Sequence, residues 1–310
     1  MELSRIKKYQ EMMADEVRMR AYQASITAVC PGKTVCEIGV GLGPLSLMAL
    51  QQGATKVYGI EHSGETLEWA TRVIRAHGFG EDRFIPIQGL STDITLPERV
   101  DVLLSETLDS IGIGESTVAF MKDAKERLLK AEGVFIPSHL TCYVAVGSSN
   151  SYLDEIAFWG ETLKQNYGLD YSLIAGYVAG QRHVLTVKPN ELSSAWQSWQ
   201  SIDFRQPETF EAASTTLHLI QRPGPITGFC TAFEATLSEG ITMDTRSEQP
   251  MTHWQQSFSN LPRPFLAQAG DLVVLTLESI PSEDVTKWTL KKSALHVPAA
   301  EVRDFLNALK

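Results

Sequence analysis

Four glutamates of the 310-residue chain stand within or just beyond short apolar runs. Glu37 lies in Thr-Val-Cys-Glu-Ile, a strand pattern that runs into Gly39-x-Gly41-x-Gly43. Glu61 closes the run Lys-Val-Tyr-Gly-Ile, after a helical pattern from Pro44 to Gln52. Glu106 follows a third run at 100–104, and Glu115 comes after a loop that holds Gly112 and Gly114. Strand, glycine turn, helix, strand and acid is the order in which an α/β sheet builds a nucleotide-shaped pocket. The glycines let a ligand approach the backbone, and an acid on the second strand accepts both hydroxyls of a ribose.

The turn departs from the dinucleotide signature G-x-G-x-x-G, in which a pyrophosphate rests on a helix N-terminus. Its acid, two residues ahead of the first glycine, repels a diphosphate but accepts hydrogen bonds from an ammonium group. S-adenosylmethionine fits this pattern, with an amino-acid head, a ribose and no phosphate. The alternative for Glu37 is a solvated acid at a strand end. Glu106 and Glu115 fall beyond the carboxyl ends of sheet strands, where open α/β sheets carry their catalytic groups. Beside a sulfonium methyl donor, two carboxylates suit a guanidinium, which stays protonated, is a poor nucleophile and repels the donor. Paired acids neutralise it, grip it through charge-assisted hydrogen bonds and localise its charge away from the attacking nitrogen. Alignment for in-line displacement is then a matter of positioning. Spacing alone is equally satisfied if Glu115 caps the next helix, where the helix dipole favours an acid.

Periodicity supplies the elements that must hold these acids. Residues 7–28 carry a helical pattern, and strands and helices alternate to about residue 129, the mark of a mostly parallel sheet with helices on both faces. A new strand is expected at 141–146. Beyond residue 147 strands come without regular helices, at 183–187, 214–220, 228–237 and 271–279, as in an antiparallel sandwich or barrel. The expected organisation is an N-terminal cofactor-covering helix (1–30), a Rossmann-like domain (31–147) and a β-barrel substrate domain (148–310), with a substrate cleft between the halves. The net charge of −10 argues against a nucleic-acid partner and is compatible with a cationic substrate. Four scattered cysteines show no metal or disulfide spacing, so no metal is expected and a reducing cytoplasm is. No apolar run suggests a membrane span or signal peptide.

At Ser105-Glu106-x8-Glu115 the chain resembles the protein arginine methyltransferases, whose double-glutamate loop has this spacing. Met251-Thr252-His253-Trp254 is similar to the family's Thr-His-Trp loop, Asp15-Glu16-Val17-Arg18 to its N-terminal helix motif, and residues 228–234 to a barrel strand. The resemblance implies that Arg18 pairs with the cofactor carboxylate, that Glu37, Gly39 and Gly41 hold its methionine part, and that Glu61 binds the ribose. It implies that Glu106 and Glu115 hold the guanidinium and that His253 lies near them and pairs with Asp15. Read without the resemblance, His253 is a packing histidine. Trp254 reads as core or cleft wall. The segment at 167–196 sits where the family carries a dimerisation arm, which implies a homodimer.

The departures shape the expected substrate. Bulky aromatic residues usual between the glutamates give way to Thr107, Leu108, Asp109, Ser110, Gly112 and Gly114. Leu108 stands in place of a methionine and bears on how many methyls are added. Asp109 adds an acid able to receive an α-ammonium, unless it is simply solvated, so free L-arginine or a close guanidino relative is the expected substrate. The family's adenine-contacting acid is replaced by Ser91-Thr92-Asp93, with Thr92 or Asp93 as the contact, and Tyr9 remains as a lone lid residue. The alternatives are methylation of protein arginine and a silent regulator that only binds S-adenosylmethionine.

Overall fold

The computed structural model describes residues 1–114, 116–206, 213–281 and 288–309. The expected helix at 7–28 is two helices, α1 (Leu3–Ala14) and α2 (Glu16–Val29). They break at Asp15, whose side chain accepts from the Arg18 amide at 3.0 Å and so caps α2 rather than continuing α1.

The next elements form the expected parallel sheet. In chain order they are β1 (Thr34–Ile38), α3 (Pro44–Gln51), β2 (Lys56–Glu61), α4 (Gly64–Ala76), β3 (Phe84–Gln88), β4 (Val100–Ser105), α5 (Thr117–Arg127) and β5 (Leu129–Ile136). The strand order is β3-β2-β1-β4-β5, all parallel, so the order reverses between β1 and β4. A crevice opens beyond the carboxyl ends of those two strands, where ligands of such sheets bind. α3 starts there because Gly43 adopts φ 82 and Pro44 supplies the preset first helical residue.

The boundary expected at residue 147 falls about ten residues earlier. β6 (His139–Gly147) leaves the parallel sheet and pairs antiparallel with β10 (Gly224–Ser238) over its full length, from His139↔Thr236 to Gly147↔Gly228. Between them come α6 (Asn150–Ala157), a π-helical turn (Phe158–Thr162), α7 (Leu163–Tyr167), α8 (Ser172–Gly180), β7 (Arg182–Leu185), β8 (Gln197–Asp203) and β9 (Ala213–Leu219). These helices span 150–180 and overlap the segment at 167–196 where an arm is expected. Its last helix is apolar along its length yet buries only Ala175, leaving Leu173 89 % and Tyr177 68 % exposed. β11 (Ile241–Asp244), β12 (Gln256–Ala267), β13 (Leu272–Pro281), β14 (Trp288–Val297) and α9 (Val302–Ala308) complete the chain. One antiparallel sheet runs β7-β12-β10-β6-β8 with β11 on β10, and another runs β14-β13-β9.

A single apolar cluster passes from Val35 and Leu103 in the parallel sheet through Leu140 and Phe233 to Leu275 in the last sheet. Phe233 is fully buried, meets Trp254 edge to face with centroids 5.3 Å apart, and lies where a side chain at Gly112 would be. It thus joins the β-rich half to the glutamate-bearing loop. Phe233→Ala should cost about 3–5 kcal/mol, read as a lower midpoint in urea denaturation. An unchanged midpoint would show that the two halves do not depend on this contact.

Candidate active site

A cavity of about 660 Å³ lies at the switch point, under α1 and α2, and is lined by Tyr9, Arg18, Glu37, Gly41, Glu61 and Glu106 among others. It sits between the parallel sheet and the N-terminal helices.

Glu37 is no solvated acid. As the fourth residue of β1 it pairs on both sides with neighbouring strands and is 1 % exposed. Its carboxyl accepts from the Ser46 hydroxyl of α3. Burial, only partly offset by Ser46 and Arg18, pushes it up to about 8. Glu61 is 7 % exposed and clamps the glycine turn to the end of β2: one oxygen accepts the Gly41 amide at 3.0 Å, the other the Ser63 amide at 3.0 Å. Gly41 itself holds φ 56, and a Cβ there would lie 2.9 Å from the Tyr9 ring of α1. The helix therefore rests directly on the turn, and only glycine allows that approach. Burial and then the nearby Glu61 raise the Tyr9 phenol, so it remains protonated at neutral pH.

Arg18 and Glu106 meet across the cavity. Arg18 Nε donates to Glu106 Oε2 at 2.9 Å and Nη2 to the same oxygen at 2.5 Å, with both side chains 4 % exposed. Glu106 accordingly grips a guanidinium, that of the chain's own arginine. The α2 helix is fixed above this pair by Tyr22, whose hydroxyl donates to the Ser105 carbonyl at 3.1 Å.

The β-rich half reaches the N-terminal helices through the loop that carries His253. The His253 amide and Nδ1 lie 2.8 and 2.9 Å from Asp15 Oδ2, joining that loop to the cap of α2. Burial works to raise the Asp15 carboxyl, but the hydrogen bonds from His253 and Arg18 outweigh it and hold it below the usual range. Trp254 Nε1 donates to the Leu108 carbonyl at 2.6 Å. Leu108 and Trp254 both bury their side chains in the main cluster, so they form the wall behind the site.

Two expected contacts are corrected. Thr92 lies in a 3-10 turn (Ser91–Asp93) and is exposed, whereas its neighbour Ser91 lines the cavity with a buried hydroxyl. Arg127 of α5 fixes that turn by donating to the Ser91 and Ile94 carbonyls at 2.7 and 2.6 Å. Asp109 is neither solvated nor open to an ammonium. Its Oδ1 accepts the amides of Ile111, Gly112 and Gly114, and Oδ2 pairs with Arg182 Nη1 at 2.6 Å. Glu115 lies outside the described residues. Sequence reading passed over Ser46, whose signal was a lone hydroxyl on an apolar helix, and Arg182, which carries no local signal. Among the described residues no group of His, Cys, Asp and Glu could hold a metal ion, and no helix is long and apolar enough to cross a membrane.

The glycine cradle, the buried acids on β1 and β2 and the unpartnered Ser91 hydroxyl fit an amino-acid head, a ribose and a base. Fold and site together define a Rossmann-like methyltransferase domain joined to an antiparallel β-rich domain. The family profile for the arginine methyltransferase oligomerization subdomain matches residues 139–289. An arginine N(omega)-methyltransferase of Streptomyces achromogenes subsp. streptozoticus is 30 % identical over 285 residues, covering 86 % of this chain and 74 % of that protein. Protein arginine N-methyltransferase 1 of Chlamydomonas reinhardtii is 28 % identical over 284 residues, 88 % of this chain and 81 % of the relative. The chain belongs to the protein arginine methyltransferase family. The same fold occurs in the Trypanosoma brucei PRMT1 enzyme–prozyme heterotetramer with AdoHcy, at TM-score 0.78 and 22 % identity over 93 % of this chain and 97 % of that one. It also occurs in the open conformation of Arabidopsis thaliana protein arginine methyltransferase 10, at TM-score 0.78 and 24 % identity over 94 % of this chain and 93 % of that one.

Glu37 gives the site a pH signature. Between pH 4.5 and about 8 the folded chain keeps a proton that the unfolded chain releases. This group's contribution to stability is therefore full below pH 4.5 and is lost as pH rises through about 8. Glu37→Gln carries no such proton, so its thermal midpoint should gain on that of the unaltered chain as pH rises across that window. Parallel curves for the two proteins would mean that Glu37 is ionised throughout.

Proposed function

We propose that this arginine methyltransferase uses S-adenosylmethionine to methylate the guanidinium of free L-arginine or a closely related small guanidino compound. The observation that carries the reading is the grip of Glu106 on the Arg18 guanidinium inside a buried, acid-lined cavity. A carboxylate already shaped to receive two N–H groups of one guanidinium is shaped to receive another.

When bound, S-adenosylmethionine supplies an electrophilic methyl group on its sulfonium. Glu37 and the turn at Gly39 and Gly41 would hold its amino-acid part, Glu61 its ribose, and Arg18 its carboxylate. Arg18 then leaves Glu106 to the substrate, and Glu115 would supply the second carboxylate of the clamp. His253 holds the β-rich loop against α2 and so keeps Arg18 and Glu106 in reach of each other.

The free amino acid is supported by the Streptomyces relative, which bears the name arginine N(omega)-methyltransferase. Protein-bound arginine is the second reading, favoured by Asp109, both of whose oxygens are engaged within the chain. A homodimer is supported by the apolar arm and by the match to an oligomerization subdomain.

Methyl transfer to L-arginine and to an arginine-rich peptide, compared by product mass, separates the two substrates. Methylated arginine is the expected product, and product from the peptide alone would overturn the small-molecule reading. Glu106→Gln should lower turnover about 10²–10³-fold, and a variant that turns over normally would remove the guanidinium clamp from the mechanism.

A further inference from the structure

The loop between the two glutamates is short of the side-chain bulk that would hold it still. It is pinned by Leu108, Ile111 and Ile113, all buried, but its two glycines make the intervening backbone free to rearrange. The Trp254 indole and the Thr117 hydroxyl hold its carbonyls at Leu108 and Gly114, and Asp109 holds its amides. Its Oδ1 gathers the amides of Ile111 and Gly112 at 3.0 Å and of Gly114 at 2.9 Å. Gly114 lies so close to this carboxylate that any side chain there would collide with it. The remaining oxygen meets Arg182 Nη1 at 2.6 Å, the Asp109 side chain being 12 % and Arg182 37 % exposed.

Arg182 comes from far along the chain and is itself well anchored. It opens β7, where it pairs with Ser259 of β12, and follows directly on the arm helix α8. Its neighbour His183 reaches Glu155 of α6 through Nδ1 and the Val178 carbonyl of α8 through Nε2, each at 2.9 Å. The Arg182 guanidinium alongside supplies a charge-assisted hydrogen bond to a carboxylate that already accepts three amides.

We propose that Asp109 and Arg182 act together as positioning residues for the glutamate-bearing loop, holding it against the root of the helical arm. The inference rests on the guanidinium-methylation reading for its effect on turnover. It gives Asp109 a task different from receiving a substrate ammonium.

Two variants and two readouts test it. Asp109→Asn keeps an oxygen for the loop amides but removes the charge, and Arg182→Gln removes the partner while leaving the loop sequence intact. Amide hydrogen exchange of the peptide spanning 107–114 should quicken about tenfold in either variant, with peptides of β1 and β2 unchanged. Exchange in Arg182→Gln equal to that of the unaltered chain would overturn the inference, whatever the activity. Turnover is then compared on L-arginine and on a guanidino acid that lacks the α-amino group. A loss of kcat by the same factor on both, with KM for S-adenosylmethionine unmoved, is the expected result. A rise in KM for L-arginine alone would make Asp109 the ammonium receptor and defeat the proposal. Failure of the unaltered chain to methylate any guanidino compound would overturn the methylation reading, and the exchange measurement would still decide the role of the pair.

Discussion

The Asp15 carboxylate accepts three hydrogen bonds at 2.8–3.0 Å, from the Arg18 amide and from the backbone and ring of His253. A buried carboxylate is costly unless it is satisfied, and here two of the three donor atoms belong to a residue 238 positions further along the chain. The same acid ends one helix, starts the next and docks the β-rich loop. Because α2 begins at this point, Arg18 falls one turn later over the cavity and Glu106 meets a guanidinium. Without Asp15 the start of α2 and the His253 loop would lose the polar contact that sets them against each other.

Three acids line one cavity, and each is accommodated differently. Glu37 meets burial by retaining a proton. Glu61 is satisfied by two backbone amides, and Glu106 by a buried arginine. A buried acid can thus be accommodated by a shared hydroxyl, by backbone amides or by a guanidinium. A cavity lined in this manner receives a positively charged or hydroxyl-rich ligand without a metal-type cluster of acids.

What could be read in the sequence was local and periodic. The strand at 34–38, the glycine turn and the acid at 61 lie within about thirty residues and obey the register of a βαβ unit, so their arrangement was legible. Glu106 was legible for the same reason, as the residue just past an apolar strand. The break at Asp15 was hidden because a helical period runs straight through it, and only the distant His253 explains the interruption. The boundary near residue 137 was hidden because 139–147 looks like one more apolar strand, and pairing decides its sheet. β12 escaped notice since Pro262 and Pro264 interrupt its pattern, and β8 since its polar residues blur the alternation. The misreading of Asp109 had the same origin: a charged loop residue reveals its charge, while the three amides and the arginine that occupy it belong to the folded chain.

The apolar cluster runs unbroken from the parallel sheet into the last antiparallel one, whereas α1 buries no residue at all. The two halves are thus welded, and a hinge between them would tear open the core. The roof of the cavity belongs to the first helix, which rests on the glycine turn through Tyr9. Whatever occupies the cavity is therefore roofed by a helix that adds nothing to the apolar core.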